Sequence, residues 1–327
     1  MRILLTGATG FVGRGLLETM VTLDNLELVA AVRNTTVTLP GNVDSLQVAG
    51  LEPDADWKTA LKGVDVVIHS AARAHVMREL ASDPLAEFRR VNVQGTLNLA
   101  QQAVVAGVRR FIFISSIKVN GEGTLSGVPF HADAQPVPID PYGISKMEAE
   151  QGLRALASET GMEVVIIRPT LVYGPGVKAN FLSMMRWLHR GVPLPFGAIY
   201  NRRSLVALDN LVDLIVTCID HPAAANQIFL VSDGEDLSTT ELLHRLGLAL
   251  GKPARLLPVP SWLLEAGAKM LGKKSLSQRL CGSLEVDITK TRELLGWAPP
   301  VSVDEALHET AEDFLANQIG SQECSVI

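Results

Sequence analysis

The sequence predicts a doubly wound α/β fold: a mostly parallel sheet with helices on both faces, followed by a smaller α/β lobe. Three observations predict it. Near-continuous apolar runs alternate with amphipathic stretches through residues 1–168, as expected of strands buried on both faces. Gly7, Gly10 and Gly13 sit between the first apolar run and the first helical stretch. Beyond residue 168 the pattern loses regularity, and Pro169, Pro175, Pro193 and Pro195 punctuate it.

Taken in order, residues 2–6 read as the first strand and 11–23 as the first helix. Residues 26–32 and 64–69 are the next apolar runs, and 91–106 a second helix. A run at 111–115, a helix over 141–160 and a run at 163–168 complete the first half. The second half holds helices at 209–221 and 238–251 with a strand at 228–232 between them. From 252 onward loops dominate, with helical pieces near 261–272 and 303–316 and a frayed tail expected over 318–327.

With 327 residues, 47% of them hydrophobic, the chain is long enough for a large core and two joined lobes. A net charge of −6 argues against a nucleic-acid partner, and no Lys/Arg run marks a membrane-facing patch. Cys218, Cys281 and Cys324 are too far apart for zinc-ligand spacing, and His75, His131 and His189 have no partner spacing, so no metal is expected. The sparse cysteines fit a reducing compartment. The first apolar run is too short for a signal peptide, and none elsewhere reaches the ~18 residues of a membrane span, so a cytoplasmic location is expected.

The glycine loop carries the first chemistry. Gly7 permits a tight turn, Gly10 lets the backbone approach a pyrophosphate, and Gly13 lets helix pack on sheet. Thr9, Phe11 and Val12 complete the loop, whose helix offers free N–H groups and a positive dipole end to phosphates. Residues 1–168, with a returning segment near 204–232, therefore read as a Rossmann dinucleotide-binding domain. The second strand ends Val32-Arg33-Asn34, with Arg33 where an NAD-selective fold usually places an acid. Arginine there suits a 2′-phosphate, so NADP(H) is the expected cofactor, with NAD(H) as the alternative.

Asp140-Pro141-Tyr142-Gly143-Ile144-Ser145-Lys146 carries the second. Asp140 is placed to cap a helix with Pro141 at its first position, so Tyr142 and Lys146 share one face. A neighbouring ammonium and an oxidised nicotinamide would both favour the phenolate, so Tyr142 is expected to exchange a proton near neutral pH. The run at 111–115 leads into Ser115-Ser116, delivering hydroxyls to the edge where such folds bind ligands.

These motifs resemble the extended short-chain dehydrogenase/reductase family, and the resemblance covers almost the whole chain. Further matches are His69-Ser70-Ala71-Ala72, Asn92-Val93-Gln94-Gly95-Thr96, Arg168-Pro169 and Val172-Tyr173-Gly174-Pro175. The resemblance implies Ser116, Tyr142 and Lys146 as the catalytic set, with Asn92 in support. It places Asn34, Ala71, Ala72, Asn92, Ser115 and Pro169 with the glycine loop, Arg33, Tyr142 and Lys146 around the dinucleotide. It also implies a nucleotide-sugar substrate held largely by residues 169–327. Ser116, Lys118, Asn180, Arg203 and, more weakly, Arg279 are the expected contacts. Many relatives dimerise through two helices; here 91–106 and 141–160 either do so or pack within the chain.

The resemblance also bears on the reaction. Family dehydratases carry an Asp-Glu pair where this chain has Ile117 and Lys118, which argues against 4,6-dehydration. Family epimerases usually show the acid that Arg33 replaces. The expectation is therefore NADPH-dependent reduction of a UDP-4-keto-6-deoxy-N-acetylhexosamine at C4, giving UDP-N-acetylquinovosamine or UDP-N-acetylfucosamine for O-antigen. The alternative is a UDP-glucose or UDP-N-acetylglucosamine 4-epimerase. A non-catalytic dinucleotide sensor is a third reading; such modules typically lack the Tyr or Lys.

Overall fold

The computed structural model describes residues 1–34, 36–40, 43–74, 83–270, 278 and 280–323. Its centre is a seven-stranded, all-parallel sheet. In chain order the strands are β1 (Arg2–Thr6), β2 (Glu27–Val32), β3 (Val43–Gln47), β4 (Val66–His69), β5 (Arg110–Ile114), β6 (Glu163–Pro169) and, later, β9 (Ile228–Val231). Across the sheet they run β3-β2-β1-β4-β5-β6-β9, so the order reverses between β1 and β4. That reversal opens the crevice where such folds bind ligands.

The apolar runs are buried on both faces. On β1, Ile3 and Leu5 face one core and Leu4 the other; on β5, Ile112 and Ile114 oppose Phe111 and Phe113. The first core is covered by α1 (Phe11–Met20) and α6 (Leu208–Thr217). The second is covered by α3 (Thr96–Val105) and α4 (Pro141–Thr160).

A third core gathers elements from the second half of the chain. It joins β7 (Leu171–Tyr173), α5 (Ala179–His189), β8 (Arg203–Ala207), α7 (Thr239–Ala249) and, beyond α8 (Ser261–Met270) and α9 (Thr289–Leu295), α10 (Val303–Glu323). β8 lies between β7 and the short antiparallel β10 (Asp236–Leu237).

β7, α5, β8 and β10 were not read from the sequence, and three further features depart from it. β3 is a seventh strand whose residues are largely exposed, so it lacks the apolar run that betrays the others; its pairing with β2 defines it. The helix expected at 91–106 starts earlier, with α2 (Pro84–Phe88) capped by Asp83, and passes through a π-helical turn, Arg89–Gly95, before α3. Gly95 is required there, because a Cβ would lie 2.2 Å from the Leu51 carbonyl oxygen. The tail expected to fray from 318 instead continues α10 to Glu323. Arg279, His75 and Cys324 lie outside the described residues. Among the described residues, no helix is long and apolar enough to cross a membrane.

Candidate active site

The C-terminal ends of β1, β4, β5 and β6 converge on one crevice. Gly7 leaves β1 with φ +74, and its carbonyl accepts a hydrogen bond from Gly10 N at 2.8 Å. A Cβ on Gly13 would stand 2.1 Å from that carbonyl oxygen, so α1 reaches β1 only because residue 13 has no side chain. Gly10 differs: a Cβ there would meet only Gly7 O, at 3.1 Å. Gly10 is the N-cap of α1 and supplies no side-chain bond, and exposed Thr9 leaves the helix end uncovered. Free amides, a positive dipole end and absent side chains fit a pyrophosphate. Ala71 and Ala72 adjoin this turn; a Cβ on Gly7 would strike Ala71 N at 2.7 Å. At the end of β2, Arg33 and Asn34 are exposed. The Arg33 side chain has no hydrogen-bond or ion-pair partner among the described residues, and Asn34 Oδ1 accepts from Thr36 N at 3.0 Å.

His69 is buried beneath the crevice. Its Nδ1 bonds Thr6 Oγ1 at 2.7 Å and its Nε2 bonds Thr96 Oγ1 at 2.9 Å, linking β4 to β1 and α3. Burial first, then the nearby Lys146 charge, push its pKa down to about 3. The ring is a neutral brace.

α4 begins as its sequence dictates: Pro141 occupies the first position, and Asp140 Oδ1 accepts from Gly143 N at 2.6 Å. Tyr142 is partly buried, edge-on to Phe88. Lys146 is buried; its Nζ donates to Ile114 O at 2.8 Å and lies over the Phe113 ring at 4.3 Å. Burial lowers the Lys146 pKa to about 7, against an opposing pull from Glu150. Burial and then Asp140 raise the Tyr142 phenol above its ordinary value. Lys146 Nζ sits 6.0 Å from the Tyr142 ring centre and donates to a carbonyl.

Several expected ligand contacts are instead engaged within the protein. Ser115 Oγ donates to Glu150 at 2.5 Å, and Arg168 holds the same carboxylate through Nε at 2.9 Å and Nη2 at 2.5 Å. The Asn92 amide bonds both backbone groups of Arg73 and, at 3.0 Å, Ser145 Oγ. It is buried and must be satisfied internally, so it braces the loop after β4 against α4. Lys118, expected against substrate, pairs with Asp140. Pro169 is buried at the end of β6.

Ser116 has extended backbone and caps a short turn, Ile117–Val119, accepting from Lys118 N at 3.3 Å. In the lobe, Asn180 is exposed in the first turn of α5, and Arg203 opens β8 with Nη1 on Gly282 O at 3.0 Å. Sequence reasoning missed Glu150, although its place four residues after Lys146 on the same helix face signals it. Among the described residues, no three His, Cys, Asp or Glu side chains gather as a metal site.

The sequence profile of the NAD dependent epimerase/dehydratase family matches residues 3–232. The chain belongs to that family. Over 314 residues it is 54% identical to a UDP-glucose 4-epimerase of Vibrio cholerae, covering 96% of this chain and 95% of that one. It is 26% identical over 325 residues to a GDP-6-deoxy-D-mannose reductase of Pseudomonas aeruginosa, covering 96% and 97% of the two chains. The fold matches the crystal structure of a Thermotoga maritima UDP-glucose 4-epimerase with UDP-glucose: TM-score 0.76, 24% identity, 97% of this chain and 100% of that one. As a member of the epimerase/dehydratase family, the chain is an enzyme of nicotinamide-dinucleotide chemistry. Its glycine turn and its α4 Tyr/Lys pair are the parts of the fold suited to it.

Proposed function

We propose that this protein is a UDP-sugar 4-epimerase that interconverts UDP-glucose and UDP-galactose or their N-acetylated counterparts. The observation that carries this reading is the 54% identity, over 96% of the chain, to the Vibrio cholerae UDP-glucose 4-epimerase. Gly7, Gly10, Gly13 and the end of α1 would hold the dinucleotide pyrophosphate, with Arg33 and Asn34 beside its adenosine ribose. Tyr142 takes the proton of the sugar 4-hydroxyl and later returns it, and Ser116 holds that oxygen. Lys146 would orient the dinucleotide, and the positive charge of its oxidised nicotinamide would favour ionisation of the phenol against the burial that raises it. Hydride acceptance and donation at C4 is the chemistry that the dinucleotide supplies when bound. Residues 169–327 would hold the nucleotide, with Asn180 and Arg203 at the diphosphate, and the segment 204–232 returns to the dinucleotide domain.

A second reading, NADPH-dependent C4 reduction of a UDP-4-keto-6-deoxy-N-acetylhexosamine, is favoured by one observation. Arg33 stands exposed at the end of β2, without a partner among the described residues, where it suits a 2′-phosphate. In that reaction Tyr142 would donate one proton to the 4-keto oxygen for each hydride that the bound dinucleotide supplies.

One paired assay separates the two. UDP-glucose and UDP-N-acetylglucosamine are supplied with NAD, and the keto sugar with NADPH. Interconversion of the C4 epimers without net dinucleotide consumption supports the epimerase. Stoichiometric NADPH loss with the keto sugar alone overturns it in favour of the reductase.

A further inference from the structure

Lys118 uses all three of its handles on the site. Its backbone N–H donates to Ser116 Oγ at 3.3 Å. Its carbonyl oxygen lies against Gly143, where a Cβ would come within 2.8 Å of it. Its ammonium pairs with Asp140, whose other carboxylate oxygen caps α4 through Gly143 N. Val137 N also donates to Val119 O at 3.0 Å, tying the incoming strand of chain to the same turn. The residue therefore bridges Ser116 and the first turn of α4, which carries Tyr142.

We propose that Lys118 is a positioning residue: its ion pair with Asp140 clasps the first turn of α4 to the turn after Ser116, holding the Ser116 and Tyr142 hydroxyls in one register. This rests on the reading above that both hydroxyls serve one substrate oxygen. The Lys118 and Asp140 side chains are 36% and 24% exposed, so the pair adds little to global stability. Catalysis tolerates less, since a displacement of about 1 Å at a reacting group costs on the order of 100-fold in rate. The clasp also sets charge. Asp140 acts on the phenol, Lys146 lies 6.0 Å from its ring on the same helix, Lys118 pairs with Asp140, and Arg73 stands over the Phe88 ring that meets Tyr142 edge-on. Asp140 opposes ionisation of Tyr142. Removing Lys118 leaves that carboxylate uncompensated and moves the phenol limb of the pH profile upward.

The test uses the full-length protein with bound dinucleotide and the nucleotide sugar it turns over. Lys118→Met is expected to lower kcat about 10-fold or more, with KM and dinucleotide affinity within about twofold and an unchanged melting temperature. Its phenol limb should move to higher pH, and adding Asp140→Ser, which keeps a capping hydroxyl, should bring the limb back. Lys118→Arg should recover kcat to within about threefold, because it restores the pair. Gly143→Ala, which pushes the two turns apart without changing charge, should lower kcat with no shift of the limb. A kcat for Lys118→Met within about twofold of wild type, or Lys118→Arg as impaired as Lys118→Met, overturns the clasp. Full turnover in Tyr142→Phe would overturn the assignment of the site itself, and the clasp with it.

Discussion

At the scale of single residues, the site rests on buried polar groups with fixed partners. Glu150 shows the pattern: its carboxyl group is buried and held by both the Ser115 hydroxyl and the Arg168 guanidinium. Such a pair is retained only where every oxygen is satisfied. His69 supports a direct prediction. Its folded pKa is about 3 against an ordinary 6.5, so the neutral ring is the native form. Between those values the unfolded chain binds a proton that the folded chain refuses, so stability falls as pH drops from 6.5 towards 3. Between pH 7 and pH 5 this residue alone should remove about 2 kcal/mol. His69→Gln should lose that much less over the interval, read from urea midpoints; parallel curves would show that the ring is not the acid-sensitive brace.

At the scale of elements, the glycines of the β1–α1 turn do two separable jobs. Gly13 permits packing, since its Cβ would strike backbone atoms at 2.1–2.8 Å that cannot swing aside. Gly10 leaves space over the helix end, and a Cβ there meets one atom at 3.1 Å. Gly13→Ala should therefore destabilise the fold by about 2–4 kcal/mol in denaturant titration. Gly10→Ala should melt close to wild type yet bind dinucleotide at least about 10-fold more weakly, by fluorescence titration. Equal destabilisation by the two would contradict this division. The α4 start was legible because Asp140-Pro141 is a local signal. The π-helical turn at Arg89–Gly95 was not, because it answers the approach of Leu51 from a distant segment.

At the scale of the whole molecule, Asn210 ties together elements from distant parts of the chain. Its Nδ2 donates to Asp233 at 2.7 Å and to Val301 O at 2.9 Å, while its Oδ1 accepts from Val301 N at 2.9 Å. Tyr173 and the Ala207 amide bond the same Asp233. α6 is thus joined to β7, to β8 and to the segment entering α10. Asn210→Ala leaves buried partners unsatisfied and should cost about 2–3 kcal/mol, seen as a lower urea midpoint with unchanged slope. Nucleotide-sugar affinity should fall more than dinucleotide affinity, because the lobe moves while the β1–α1 turn stays. Equal loss of both would show that Asn210 supports the fold at large.

The sequence by itself determined the doubly wound class, the glycine turn, the capped α4 with its Tyr/Lys face and the family. Those features are written in short-range patterns: apolar runs, glycine spacing, a cap and a four-residue repeat. Only the tertiary structure decided which polar side chains remain free for ligands. Asn92, Ser115 and Lys118 each look available in the sequence, yet buried or neighbouring partners from other elements engage them. The upward push on the Tyr142 phenol has the same origin in its larger part, because burial depends on packing by distant segments, whereas the smaller push from Asp140 comes from two residues away in the chain.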